Sequence, residues 1–247
     1  MPVQWITPAD LRHDHTLLYF FGGGHITGSP DEDLSITARL AHFMGARVCA
    51  PHYRLAPEHP FPAAFEDGWS VLSALGRMHD RIVVAGDSAG GNLAAAAAHA
   101  RRDPRILGQV LIYPGLGGDR QAGSYVTHAN SPMLTAADLE FYGSIRHGGM
   151  RPPQGDPTVS PLQDRDFSRL PMTLTIGAEC DPLQDDAPAY AAAITAAGGR
   201  AHAVTAQGLV HGYLRARAMV PRAAESFDLI TATIAAFSEA RWPFDQG

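Results

Sequence analysis

A serine between glycines stands near the middle of the sequence. Gly86, Asp87, Ser88, Ala89 and Gly90 form the pattern GxSxG, between the apolar run RIVVAG and the alanine-rich stretch GNLAAAAAHA. At a strand-to-helix junction, two such glycines allow a tight turn that raises the serine hydroxyl above a sheet. The pattern is short enough to occur by chance in a glycine-rich chain, so its placement carries the argument. We predict that this serine is a nucleophile; a glycine-rich turn with a capping serine is the alternative.

A serine nucleophile needs a base, and the base needs a group that orients it. Asp181 lies in GAECDPLQDD after the run MTLTIG, and His211 lies in the glycine-flanked stretch AQGLVHGY after RAHAVTA. Taken singly, Asp181 also fits a helix N-cap and His211 a surface loop residue. Because both follow predicted strands of one parallel sheet, we expect them at its carboxyl edge beside Ser88. The order Ser, Asp, His is the one that α/β-hydrolases use.

Three consecutive glycines, Gly22 to Gly24, follow the apolar run TLLYFF. Each costs about 0.5–1 kcal/mol relative to alanine in regular structure, so the triplet needs a reason. A loose turn with positive φ is one interpretation, and a loop whose bare N–H groups approach a ligand oxygen is the other. Acyl transfer creates a negative oxygen that such donors stabilise. We therefore predict an oxyanion hole formed by the amides of Gly23, Gly24 and Ala89, with Gly22 shaping the turn.

Short β-branched or aromatic runs alternate with longer segments of helical composition, which is typical of a mostly parallel sheet flanked by helices. The predicted strands are 16–21, 46–51, 81–86, 108–114, 172–177 and 200–206. The predicted helices are 31–44, 62–78, 89–101, 184–197 and 221–239. Residues 115–170 interrupt this alternation and enclose one further predicted helix, LTAADLEFYGSI, which we interpret as a partial lid. We predict one α/β domain over residues 1–247.

Composition excludes several classes of protein. The chain has 247 residues, of which 45% are apolar and 18% charged, enough for a substantial core. Its net charge is −6 without a long basic cluster, which disfavours nucleic-acid and membrane-surface partners. The sequence has no signal-peptide pattern and no apolar run near the roughly 18 residues of a membrane span, so we predict a cytoplasmic protein. Cys49 and Cys180 are expected to be buried thiols, and no metal-ligand spacing is present among the 12 histidines. We expect no metal and no cofactor.

The segments FGGGHITGS, YRLAPEHPFPAAFED, GDSAGGNLAAA, CDPLQDD and VHGY resemble the motifs of hormone-sensitive-lipase-like esterases, also called bacterial family IV carboxylesterases. The resemblance runs from about residue 17 to the C-terminus, with the motifs in the family's order. It implies an α/β-hydrolase fold and hydrolysis of short- to medium-chain carboxylic esters. It also implies Ser88 as nucleophile, His211 as base and Asp181 as its orienting partner. Members of the family often dimerise, so a homodimer is compatible with the resemblance.

The chain departs from this family at its glycine loop. Phe21 stands where the family usually has the histidine of HGGG, and His25 stands where an aromatic residue is usual. That histidine normally braces the loop, so we expect weakened or retuned activity, with Phe21 as a core residue and the role of His25 open. The segment YRLAPE, with Tyr53, Arg54 and Glu58, is expected to form scaffold beneath the site.

The second departure is length, because only about 16 residues precede TLLYFF. We expect a reduced or missing N-terminal cap, and either an open site or one covered by a partner subunit. An open site encloses less of its ligand. We therefore expect tolerance for large or polar alcohol groups combined with a short acyl group.

The sequence thus predicts a serine carboxylesterase that acts on a small-molecule ester through an acyl-enzyme. A lactone hydrolase or an N-acetyl deacetylase would use the same triad, and the sequence does not separate them. A non-catalytic small-ligand receptor is the alternative of another class. The plant gibberellin receptor has a similar scaffold but lacks the base histidine, whereas His211 is present here.

Overall fold

The computed structural model describes residues 1–244. Within them, seven strands form one sheet in the order β1-β3-β2-β4-β5-β6-β7. The strands are β1 Val3–Ile6, β2 Thr16–Phe20, β3 Arg47–Pro51, β4 Ile82–Asp87, β5 Ile106–Ile112, β6 Met172–Cys180 and β7 Ala201–Val210. β2 to β7 are parallel, and β1 pairs antiparallel with β3. This confirms the predicted mostly parallel sheet.

Helices cover both faces of the sheet. They are α1 Leu34–Met44, α2 Ala63–Met78, α3 Ala89–Arg101, α4 Ser124–Thr127, α5 Ala136–Arg146, α6 Asp186–Ala196 and α7 Pro221–Ser238. Short 3₁₀ turns occupy Pro161–Gln163 and Tyr213–Ala216. Successive side chains of a strand point to opposite faces, so Leu17 of β2 packs with α1 and α7, whereas Leu18 packs with α2, α3 and α6. Burial on both faces explains why β2 and β4 are fully buried.

The alanine-rich helix α3 lies against the sheet below the predicted nucleophile. All its residues from Ala89 to His99 are buried. Small side chains allow the helix axis to approach the strands closely, which a helix of leucines would not. The composition of α3 therefore fixes the distance between the helix and β4, and with it the position of the turn that joins them.

The structure corrects several predicted element bounds. β1 was not predicted, because it has only four residues and includes the polar Gln4. β6 and β7 each extend past their predicted ends at 177 and 206. Gly177 and Gly208 lie inside these strands, and a glycine weakens a strand pattern in the sequence. α4 has four residues, too few for a helical period to show in the sequence.

Two compositional expectations can be compared with the structure. Cys49 is buried as predicted, whereas Cys180, at the end of β6, is half-buried. Among residues 1–244, no helix combines the length and apolar character needed to cross a bilayer.

Candidate active site

Ser88 occupies the turn between β4 and α3. Its φ is 54° and its ψ is −118°, a positive-φ conformation that costs a residue with a side chain about 1–3 kcal/mol. Two backbone hydrogen bonds hold the turn: Ser88 N–H donates to Ile112 O at 2.9 Å, and Asn92 N–H donates to Ser88 O at 3.1 Å. The surrounding fold thus maintains a strained serine at the carboxyl edge of the sheet, as the GxSxG pattern predicts.

The two glycines of GxSxG are required by close backbone approach. A Cβ added at Gly90 would lie 2.0 Å from Phe20 O, and one at Gly86 would lie 2.4 Å from Gly90 C and O. The clashing atoms are backbone atoms of β2 and α3, which cannot move away without displacing the sheet or the helix. These glycines therefore let β2, β4 and α3 meet at one point, directly beside Ser88.

Gly90→Ala is expected to lower the free energy of unfolding by about 3 kcal/mol or more, because the new methyl group overlaps main-chain atoms. Gly143→Ala is the matched control: Gly143 lies in α5, and its added Cβ would meet only Arg120 Nη2, at 3.8 Å. The control should be neutral or up to about 1 kcal/mol stabilising, as alanine favours helix over glycine. Urea unfolding followed by circular dichroism measures both. Equal effects of the two variants would contradict this account of the turn.

The structure brings the three predicted triad residues together. His211 Nε2 lies 2.8 Å from Ser88 Oγ, and His211 Nδ1 lies 2.6 Å from Asp181 Oδ2. Asp181 follows β6 and His211 follows β7, so neighbouring strand ends place them. Asp181 is fully buried, and its Oδ1 accepts from Leu183 N–H at 2.9 Å. Because an ionised carboxylate only accepts, Nδ1 carries the proton and Nε2 accepts from the serine hydroxyl.

The glycine loop lines the same cavity as His211. Gly23 and Gly24 have φ of 126° and 65°. An added Cβ would meet Thr27 O at 2.1 Å from Gly23 and the ring of Tyr142 at 2.9 Å from Gly24. Within residues 1–244, the amides of Gly23, Gly24 and Ala89 donate no hydrogen bond to the protein. All three residues line one cavity with Ser88, of about 660 Å³. Their amides are therefore available to an oxygen atom in the cavity.

Gly22 has a different structural role from the two glycines that follow. Its φ is not positive, but a Cβ there would lie 2.6 Å from Asp87 Oδ2. The triplet thus combines one glycine needed for close approach with two needed for their backbone conformation.

Phe21 is a core residue that Tyr53 holds in place. The two rings stack with centroids 4.1 Å apart, and Tyr53 Oη donates to Phe21 O at 2.7 Å. Arg54 binds the Asp67 carboxylate, with Nη2 and Oδ1 2.9 Å apart. Tyr53 therefore supports the start of the glycine loop, as expected for scaffold, whereas Arg54 is exposed and its partner lies in α2. Glu58 does not fit that expectation, because it is exposed.

A buried pair of carboxylates beneath Ser88 was missed by sequence reasoning. Tyr19 and Tyr113 donate their hydroxyl protons to Asp87, at 3.1 and 3.3 Å. Arg215 lies 3.4 Å from Asp33 and 4.0 Å from Asp87. Burial raises the pKa of Asp87, and burial together with the charge of Asp87 raises the pKa of Asp33 to about 7. The only sequence signal was Asp87 itself, within GxSxG.

Another buried carboxylate anchors the loop that follows β5. Asp186 Oδ2 accepts from Leu116 N–H at 2.6 Å, Gly117 N–H at 3.1 Å and Tyr125 Oη at 3.0 Å. Burial raises the pKa of Asp186 to about 6, although these hydrogen bonds favour the charged form. Gly117 and Tyr125 both line the cavity, so Asp186 holds one of its walls.

Asp186 should make stability depend on pH. The folded protein binds this proton more tightly than the unfolded chain, so its stabilising contribution is present below about pH 4 and is lost as pH rises through about 6. The free energy of unfolding of wild type minus that of Asp186→Asn should therefore fall by about 3 kcal/mol between about pH 4 and 7. Urea unfolding of both proteins across this range measures the difference. A difference independent of pH would contradict the buried carboxylate.

α5 contributes one wall of the cavity. It begins at a capping box, in which Thr135 Oγ1 accepts from Asp138 N–H and Asp138 Oδ2 accepts from Thr135 N–H. Leu139 and Tyr142 pack on a small apolar cluster of Tyr125, Leu134 and Leu183. α5 has no fully buried residue, so this cluster and the cavity are its main contacts. In the part of the chain that the structure describes, no three His, Cys, Asp or Glu side chains are grouped to hold a metal ion.

Comparisons with known proteins identify the family of this chain. The family described as alpha/beta hydrolase fold matches residues 17–215. The chain is 35% identical to carboxylesterase NlhH of Mycobacterium tuberculosis, covering 92% of this chain and 75% of that protein. It is 34% identical to ethyl acetate hydrolase of Pseudomonas putida, covering 87% and 70%.

A solved structure supports the same assignment. The esterase of Pyrobaculum calidifontis superposes with a TM-score of 0.83 at 35% identity, covering 90% of this chain and 77% of that one. The family match, the curated relatives and this structure agree with each other and with the motifs in the sequence. The chain belongs to the α/β-hydrolase family, in its hormone-sensitive-lipase-like branch of carboxylesterases.

Proposed function

We propose that this protein is a serine carboxylesterase that hydrolyses small esters through an acyl-enzyme. One observation carries the proposal: a hydrogen-bonded chain runs from Asp181 through His211 to Ser88 at 2.6 and 2.8 Å. The relatives named carboxylesterase and ethyl acetate hydrolase support an ester as the substrate.

The first half-reaction forms the acyl-enzyme. Ser88 Oγ attacks the ester carbonyl carbon while His211 Nε2 takes the hydroxyl proton, and Asp181 stabilises the imidazolium. The carbonyl oxygen becomes negative and accepts hydrogen bonds from the free amides of the glycine loop and Ala89. One such donor is worth about 2.7–4 kcal/mol of the barrier. The carbon–oxygen bond then breaks, and His211 gives its proton to the leaving alcohol.

The second half-reaction repeats these steps with water. His211 takes a proton from a water molecule, which attacks the acyl carbon, and the same amides hold the new negative oxygen. The bond to Ser88 Oγ breaks, the serine regains its proton from His211, and the acid leaves.

The cavity suits a small ester, because about 660 Å³ lies within the range of pockets that bind small molecules. We propose that α5, which forms one wall of the cavity, acts as the partial lid expected from the sequence. Exposed Met133 and Met150 at the cavity border leave apolar surface for an alcohol or acyl group. Short to medium acyl chains are the substrates that we expect.

A panel of p-nitrophenyl esters from acetate to laurate tests this function, with a few lactones and N-acetyl amides alongside. We expect kcat/KM to be highest for a short- or medium-chain ester and to fall toward laurate. Turnover of lactones or amides with none of the esters would contradict the carboxylesterase assignment. Binding of an ester without turnover would favour a receptor.

A further inference from the structure

An arginine without a carboxylate partner among the described residues lines the cavity that Ser88 also lines. Arg146, the last residue of α5, donates from Nη2 to Asn92 Oδ1 at 3.1 Å. Asn92 follows Ser88 by one turn of α3, and its amide group is fixed because it donates to Gly115 O and Val159 O at 2.8 and 2.9 Å. The cation is therefore held by a fixed side chain that lies one helical turn from Ser88.

Within residues 1–244, no carboxylate forms an ion pair with Arg146. Asp156 acts on it only at a distance, and its own carboxylate accepts from both Thr158 N–H and Thr158 Oγ1. Arg215, another arginine of this cavity, differs in that it lies beside Asp33. Burial lowers the pKa of Arg146 to about 10, which still leaves the guanidinium charged at neutral pH. By solvent exposure Arg146 is half-buried. A partly desolvated charge without a counter-charge keeps donors available for an anionic ligand.

Two histidines interact electrostatically with this cation, and one of them has free hydrogen-bonding capacity. His25 is 6% exposed, and its Nδ1 is buried without a hydrogen-bond partner among the described residues. Burial and the charge of Arg146 lower the pKa of His25 well below its usual value and that of His147 to about 4. Both are neutral at neutral pH, and a neutral imidazole can donate one N–H to an anion.

The acidic side chains of the cavity do not neutralise the positive charge of Arg146. Glu32 and Glu140 also line it, but both are exposed, so solvent and salt screen their charges. Asp87 is buried beneath Ser88 and is engaged with two tyrosine hydroxyls. The half-buried charge of this cavity that has no ion-pair partner among the described residues is positive.

We propose that the preferred substrate is an ester that also carries a carboxylate, and that Arg146 binds this carboxylate, with His25 as an additional donor. The inference rests on the proposed ester hydrolysis and adds a substrate class to it. The carboxylate belongs either to the acyl part, as in a monoester of a dicarboxylic acid, or to the alcohol part, as in an ester of a hydroxy acid. Arginine suits this role because its planar donors match a carboxylate.

Two pairs of esters test this proposal. Within each pair, one ester carries a carboxylate where the other carries a methyl group. Monoethyl glutarate is compared with ethyl pentanoate for the acyl side, and γ-acetoxybutyrate with butyl acetate for the alcohol side, by pH-stat titration. In one of the pairs, wild type should prefer the carboxylate ester by about tenfold or more in kcat/KM. Which pair shows the preference identifies the side of the ester that faces Arg146.

Variants of Arg146 distinguish a specific contact with the substrate carboxylate from general electrostatic attraction by the protein. The preference is the kcat/KM value for the carboxylate ester divided by that for its neutral partner. Arg146→Met should lower this ratio by about tenfold to hundredfold, and Arg146→Lys should retain part of the preference. The matched control is Arg77→Met, which removes the same charge from the exposed end of α2 and should leave the ratio unchanged. Circular dichroism establishes that each variant is folded. If Arg146→Met does not fold, inhibition of wild type serves instead: glutarate should inhibit ethyl acetate hydrolysis at least about tenfold more strongly than butyrate.

The possible failures are distinguishable. Rapid turnover of the neutral esters with no preference for either carboxylate ester, or a preference that Arg146→Met leaves intact, overturns this inference and leaves the carboxylesterase function in place. No turnover of any ester, together with no reaction of Ser88 with a fluorophosphonate, overturns the proposed function itself.

Discussion

Ser88→Ala is expected to lower kcat for a short-chain p-nitrophenyl ester by about 10⁴- to 10⁶-fold, because no other group can form the acyl-enzyme. The hydroxyl is 2.8 Å from His211 Nε2, so its removal also ends the proton transfer that this contact serves. Residual hydrolysis should come from binding and from the oxyanion donors alone. Steady-state kinetics with purified enzyme, free of contaminating esterases, measures the loss.

The control for this variant is Ser70→Ala, which removes a hydroxyl from the exposed surface of α2. It should change kcat by less than about twofold, since surface substitutions away from a site are usually nearly neutral. Retention of a tenth or more of the activity by Ser88→Ala would show that hydrolysis does not require this serine.

The second large effect is expected from Asp181→Asn, which should lower kcat by about 10⁴-fold. Asp181 Oδ2 accepts from His211 Nδ1 at 2.6 Å, and this contact keeps the proton off Nε2. An asparagine amide can donate to Nδ1, which favours the opposite tautomer and leaves Nε2 unable to accept the serine proton. The loss should therefore be in kcat, with KM changed little.

Asp228→Asn is the matched control, because it neutralises an exposed carboxylate of α7. Asp181 Oδ1 also accepts from Leu183 N–H, so an unfolding curve must show that Asp181→Asn is folded. An Asp181→Asn enzyme that is folded and within about tenfold of wild type would remove Asp181 from the mechanism.

The alternation of apolar runs and helical segments in the sequence predicted the strands that position these three residues. The apolar runs before Ser88 and Asp181 are strands buried on both faces, and that type of run is typical of a parallel sheet. Because parallel strands end at one edge, the positions of the polar residues after each run were enough to bring them together. The glycine loop was predicted for a related reason, since consecutive glycines after a strand have few structural uses.

The strand end that was predicted wrongly and the strand that was missed both depend on tertiary contacts. β7 continues through Gly208 to Val210 because β6 beside it continues to Cys180 and pairs with it. No property of the segment 207–210 alone signals this pairing. β1 is stabilised by pairing with β3, with Trp5 opposite Cys49, and its own four residues are too few to predict a strand.

Charge pairing was the least predictable part of the site. Arg215 is 182 positions from Asp33 in the sequence, and only the fold brings them within 3.4 Å. Likewise, Arg146 ends a helix in which an exposed arginine would be ordinary. Its importance follows from the absence of a carboxylate beside it in the described chain, which depends on where α5 lies over the cavity.

Intact-protein mass spectrometry after reaction with a fluorophosphonate tests the central claim most directly. The account predicts one covalent adduct per chain, located by peptide mapping on Ser88, with hydrolysis lost in proportion to labelling. Ser88→Ala should remain unlabelled. An adduct on another residue, or full ester hydrolysis by protein whose Ser88 is completely labelled, would contradict it.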